Sequence, residues 1–138
     1  MVQKQTKSMT AVDRASTGIP GLDLVLYGGL PQNRLHLIVG SPGTGKTTLA
    51  LQFLLDGARR GERVLLVALS ETEVEIREIA RSHGWDLDGV TIHEIVPGED
   101  ILDPGEQYTI FHPSEMELTE TIRTALEPVE RQKPARVV

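Results

Sequence analysis

Gly40-Ser41-Pro42-Gly43-Thr44-Gly45-Lys46-Thr47 is a full match to the pattern G-x-x-x-x-G-K-[ST], and its setting restricts the fold more than any other stretch of the chain. Just before it, Leu35-His36-Leu37-Ile38-Val39 is a near-continuous apolar run of strand length, as expected for a strand buried on both faces of a parallel sheet. Just after it, Lys46 to Arg60 places Leu49, Phe53 and Leu54 on one helical face, and Gly61 stands where the helix should stop. Val64 to Leu69 is again apolar on both faces. Strand, helix and strand with short links specify an α/β fold with a mainly parallel sheet and right-handed crossovers.

The residue types in the glycine segment have a common physical logic. Gly40, Gly43 and Gly45 permit backbone angles closed to other residues and keep side chains away from a ligand that must approach the main chain. With Ser41, Pro42 and Thr44 they form a loop whose successive N–H groups converge on phosphates, reinforced by the dipole of the following helix. Lys46 brings a mobile positive charge to the β- and γ-phosphates, the Thr47 hydroxyl ligates Mg²⁺, and Thr48 adds a further hydroxyl.

Downstream, Val74, Ile76, Ile79, Ala80 and His83 follow helical spacing and Gly84 marks a stop, after which Val90 to Val96 reads as a third strand. Pro97 to Pro113 reads as a long loop. Ser114 to Glu117 has a capping-box pattern that opens a helix with Leu118, Ile122, Ala125, Leu126 and Val129 on one face. Pro128 should kink that helix or end it near Glu127. Ala135 to Val138 looks like the start of a fourth strand. Upstream, residues 1–14 read as a polar tail, leaving 15–138 as the folded domain, and Leu22 to Tyr27 is a short apolar segment between Gly and Pro turns.

With 138 residues the chain is one domain or part of one. It has no cysteine, hence no disulfides or thiolate chemistry, and no apolar run long enough for a membrane helix; the expected compartment is the cytoplasm. The net charge of −6 is unevenly spread: residues 1–70 carry +4, residues 71–120 carry −12 and residues 121–138 carry +2. An acidic middle repels a phosphate backbone, which makes nucleic acid an unfavoured ligand.

Glu71 follows the second apolar strand at the end where parallel sheets hold their ligands, so its carboxylate is a candidate to orient and deprotonate a water beside a γ-phosphate. Ser70-Glu71-Thr72-Glu73 and Thr72-Glu73-Val74-Glu75 both fit capping boxes as well, and the sequence leaves the two roles in balance. His36, His83, His93 and His112 have no partners at metal-ligand spacing, and His36 falls inside a buried strand pattern. Trp85 reads as a core anchor rather than a base-stacking platform.

Together with Ser16-Thr17-Gly18-Ile19-Pro20-Gly21-Leu22-Asp23, Gly28-Gly29-Leu30-Pro31, Leu69-Ser70-Glu71-Thr72 and Ala80-Arg81-Ser82-His83-Gly84-Trp85-Asp86-Leu87, the glycine segment resembles the KaiC-type branch of the RecA-like P-loop ATPases from about Ser16 to the last residue. The resemblance implies a RecA-like fold, ATP with Mg²⁺, and homo-oligomeric assembly into a ring, a hexamer among the options, or a filament, with ATP at subunit boundaries. It carries Lys46 and Glu71 over as catalytic residues, Ser41 to Thr48 as the nucleotide loop and Thr47 as the metal ligand.

Two positions depart from that branch: Ser70 stands where relatives carry the first of two adjacent glutamates, and Asn33 stands where they tend to have glycine. The final apolar strand also stops at Val138 before any metal-shell aspartate, so the expectation is an N-terminal portion of a longer ATPase or a shortened relative. Three functions compete: an ATP hydrolase in the full-length assembly, a nucleotide-binding module without turnover, and a DNA-recombination factor. A GTPase ranks below these because no N-K-x-D sequence is present.

Overall fold

The computed structural model describes residues 12–95 and 113–138. Two short strands, β1 (Arg14–Ala15) and β2 (Leu30–Pro31), pair antiparallel around helix α1 (Pro20–Val25). Helix α2 (Lys46–Arg59) leads into β3 (Val64–Ala68), α3 (Glu73–Ser82), β4 (Val90–Glu94), α4 (Pro113–Gln132) and β5 (Arg136–Val137). β3 lies in the middle of a parallel three-stranded sheet of order β4-β3-β5, as the alternation of apolar runs and helices requires. The β5 edge continues past its formal end, because the Val138 N–H donates to the Leu65 carbonyl at 3.0 Å and the Val67 N–H to the Val138 carbonyl at 2.7 Å.

The core is aliphatic. Leu51, Leu54 and Leu55 of α2 pack on Val64, Leu66 and Ala68 of β3, closed by Ile76 and Ala80 of α3 and by Leu87 and Val90. The buried stripe of α2 is therefore rotated from the expected Leu49-Phe53-Leu54 face, with Phe53 at its margin. Trp85 packs at the margin of the same cluster, in keeping with an anchor, and His83 stacks on it at a centroid separation of 4.7 Å.

Three expectations are corrected. Leu35 to Val39 is not in the sheet: the run forms no strand, and Leu35 and Val39 are 98% and 83% exposed. Strand burial needs neighbours, and both edges of β3 are taken by β4 and β5, while β5 has only a two-residue span. His36 is accordingly exposed, its Nε2 lying 2.9 Å from the Pro31 carbonyl. Helix α4 runs through Pro128 to Gln132, so of the two expected outcomes, a kink or an end near Glu127, the end does not occur. The proline ring is fully buried, and that packing offsets the lost hydrogen bond, while the next turn is resumed by the Lys133 N–H donating to the Val129 carbonyl at 2.9 Å. The helix also starts at Pro113, a residue type suited to a first helical position, so Ser114 lies within it rather than ahead of it. The expected tail up to residue 11, Val96 and the loop of residues 97–112 with His112 lie outside the described residues.

What fixes α2 against the sheet is a buried cation that sequence pattern did not single out. The Arg136 side chain, 3% exposed, meets Glu62 at 2.6 Å and Asp56 at 3.2 Å. It also donates to the carbonyls of Ser16 at 2.7 Å and Phe53 at 2.8 Å, and its guanidinium lies 4.6 Å from the Phe53 ring centroid. One side chain thus joins β5, α2, the turn before β3 and the segment ahead of α1. The space it needs comes from Gly57, where a Cβ would come within 2.7 Å of Arg136 Cδ and Nε and 2.9 Å of Val64 Cγ1. Gly57→Ala should therefore lower unfolding stability by about 1–3 kcal/mol through overpacking, even though alanine is the better helix former; chemical denaturation checks the sign.

The segment before α1 is held by Asp23. Its carboxylate accepts from the Thr17 N–H, the Thr17 hydroxyl and the Ser16 hydroxyl, each at 2.7 Å. Burial opposes ionisation, but these bonds and that of the Gly18 N–H prevail and hold Asp23 below the ordinary carboxylate range. Asn33 adopts the left-handed conformation at φ +56°, the turn that asparagine tolerates in place of glycine.

Candidate functional site

Residues 40–45 run from the exposed apolar segment to the N-terminus of α2, on the side of the sheet where β3 and β4 end. Gly43 and Gly45 take φ of +78° and +86°, angles that strain any L side chain. A Cβ on Gly40 would come within 2.7 Å of Thr44 Oγ1. Thr44 closes the turn by donating its hydroxyl to the Ser41 carbonyl at 2.8 Å. Pro42 is exposed at the outer part of the loop. Gly45 is the N-cap of α2 and gives the helix no side-chain cap, so the amides at its first turn, which no helix satisfies internally, face an approaching ligand without a competing carboxylate or hydroxyl from the cap.

Lys46 folds back over this loop, its Nζ donating to the carbonyls of Gly40 and Ser41 at 3.0 Å each. The ammonium therefore already sits beside the loop rather than reaching into solvent. Thr47, on the first turn of α2, donates its hydroxyl to Glu71 Oε1 at 3.3 Å, which bridges 24 residues of sequence. Thr48 is half-buried in the same turn.

The competing capping role for Glu71 is resolved by geometry. Thr72 is the N-cap of α3: the Glu75 N–H donates to its hydroxyl at 3.3 Å and its own N–H donates to Glu75 Oε2 at 2.8 Å, a complete capping box. Hydrogen bonds from the Thr72 N–H and hydroxyl lower the Glu75 pKa against a smaller opposing effect of desolvation. Glu73 forms an ion pair with Arg77 at 2.7 Å, and its N–H is satisfied by Glu94 Oε2 at 3.0 Å from the tip of β4. Glu94 was not visible as a site residue in the sequence, which read the strand on to Val96, whereas β4 ends at Glu94. Glu71 takes no part in the cap and turns toward Thr47 instead.

The donor set suits an anionic polyphosphate accompanied by a hard cation: uncapped helix amides, one lysine, one hydroxyl and a carboxylate behind it. Among the described residues there is no group of three or more His, Cys, Asp and Glu that could hold a metal unaided. Of the predicted residues, Ser41, Thr44, Lys46, Thr47 and Glu71 are brought together by the contacts above, whereas His36 lies beside Pro31, His83 stacks on Trp85 and His93 belongs to β4.

This parallel sheet with flanking helices defines a RecA-like α/β ATPase domain. The family model described as "ATPase: KaiC" matches residues 15–138, and the chain belongs to that family. It is 36% identical over 133 residues to a UPF0273 protein of Methanopyrus kandleri, covering 91% of this chain and 53% of the relative. A UPF0273 protein of Methanocaldococcus jannaschii is 37% identical over 125 residues, covering 84% and 52%. One from Aeropyrum pernix is 47% identical over 76 residues, covering 55% and 31%. The chain thus spans about half the length of these curated relatives or less. No described helix is long and apolar enough to cross a membrane.

Proposed function

We propose that the chain binds ATP with Mg²⁺ at residues 41–48 and that the full-length assembly hydrolyses it at subunit boundaries. The observation that carries this reading is the convergence of Lys46 Nζ on the loop carbonyls with the Thr47–Glu71 contact at 3.3 Å, beside an uncapped helix N-terminus. In this reading Ser41, Pro42, Gly43, Thr44 and Gly45 wrap the phosphates through their backbone. Lys46 leaves its two carbonyl partners for the β- and γ-phosphate oxygens, and Thr47 supplies a hydroxyl to the metal. Bound Mg²⁺ would neutralise charge on the phosphate oxygens. Glu71 Oε2, which has no partner among the described residues, is free to accept a proton from a water aligned with the γ-phosphate.

A second reading, nucleotide binding without turnover in this chain alone, is favoured by its span of only about half the length of its relatives. ATP binding by calorimetry, measured beside phosphate release for this chain and for a version as long as its relatives, separates the two. Binding by both chains with release only by the longer one is the expected result. Absence of ATP binding by either would overturn the site.

A further inference from the structure

We propose that Glu71 is the positioning residue for Thr47, fixing the direction of the hydroxyl that meets the metal; this rests on the reading of the loop as a phosphate and cation site. A hydroxyl has one hydrogen and two lone pairs, whereas an ionised carboxylate only accepts. In the 3.3 Å contact Thr47 must therefore be the donor, and the bond to Glu71 Oε1 uses the hydrogen while leaving both lone pairs for a cation. A helical threonine has a local alternative, donation to a carbonyl three or four residues back, here Thr44 or Gly43. Thr47 makes neither bond among the described residues.

Glu71 can do this because the chain on either side of it is fixed. β3 ends at Ala68 in the middle of the sheet, and Thr72 is locked by its capping box with Glu75. The carboxylate is half-buried, and its second oxygen, without a partner among the described residues, serves the water-aligning role proposed above. A carboxylate behind a metal-ligating oxygen orients the ligand and strengthens it, and loss of such a partner typically weakens metal binding about 10–100-fold.

The test compares ATP affinity with Mn²⁺ against ATP affinity in excess EDTA; the ratio is the metal enhancement. Glu71→Ala should lower the enhancement about 10–100-fold while leaving metal-free ATP affinity near that of the parent, which also shows that the variant is folded. Glu71→Gln should keep most of the enhancement, because its amide oxygen accepts the same hydrogen, and should lose turnover in a full-length protein. In a Thr47→Val background, Glu71→Ala should bring no further loss. A parent-like enhancement in Glu71→Ala, or a Gln variant as impaired as the Ala variant, would overturn the positioning role. Failure of the parent to bind ATP with or without metal would instead overturn the site reading beneath it.

Discussion

Arg136→Ala should cost about 3–5 kcal/mol of unfolding stability, the range for removing one partner of a buried ion pair, and lower the melting temperature by about 10–20 °C. Its guanidinium is almost wholly buried and satisfies two carboxylates and two main-chain carbonyls. Truncation leaves Glu62, Asp56 and the carbonyls of Ser16 and Phe53 without that donor, beside a cavity that Gly57 cannot fill. Arg136→Met keeps bulk but none of the hydrogen bonds and should recover only a small part of the loss. Glu62→Gln should be milder, since the Glu62 side chain is 32% exposed and water can reach it. Thermal and denaturant unfolding followed by circular dichroism checks all three. An Arg136→Ala variant within about 1 kcal/mol of the parent would mean that the network is a passive ion pair of the surface kind.

That residue also shows where legibility in the sequence ended. Local signals were readable: the glycines that bound α2 and the stop at Gly84 depend on nearby backbone geometry. The glycine loop was legible for the same reason, since a turn, a lysine and a hydroxyl are contiguous. Arg136 was not, because an arginine opening a short strand looks solvated until Gly57, Glu62 and Ser16 arrive from distant parts of the chain. Leu35 to Val39 erred in the opposite direction. Its apolar pattern states what the segment favours, but burial depends on a neighbouring strand, and among the described residues the run pairs with none of the sheet's three strands. Glu71 lay between these cases: two overlapping capping boxes fitted the sequence equally, and only the register of α3 decided that Thr72 and Glu75 form the cap.

Lys46→Ala should weaken ATP binding at least about 100-fold, because a hydrogen bond to a charged group is worth about 1.5–3 kcal/mol and the ammonium is placed to make more than one. The same substitution should leave the melting temperature within about 2 °C of the parent, the scale of changes below 0.5 kcal/mol. The two hydrogen bonds of Lys46 go to carbonyls of an exposed loop, which water can satisfy once the side chain is gone. Lys46 and Arg136 are thus opposite tests of one helix: the cation at the N-terminus of α2 affects ligand affinity with little effect on folding, and the cation packed against its C-terminal half affects folding first. Calorimetric titration with Mg-ATP and a melting curve on each variant measure both quantities. Parent-like ATP affinity in Lys46→Ala would remove the phosphate loop from the function of this protein, whereas a large fall in its melting temperature would show that Lys46 holds the loop as a structural strut.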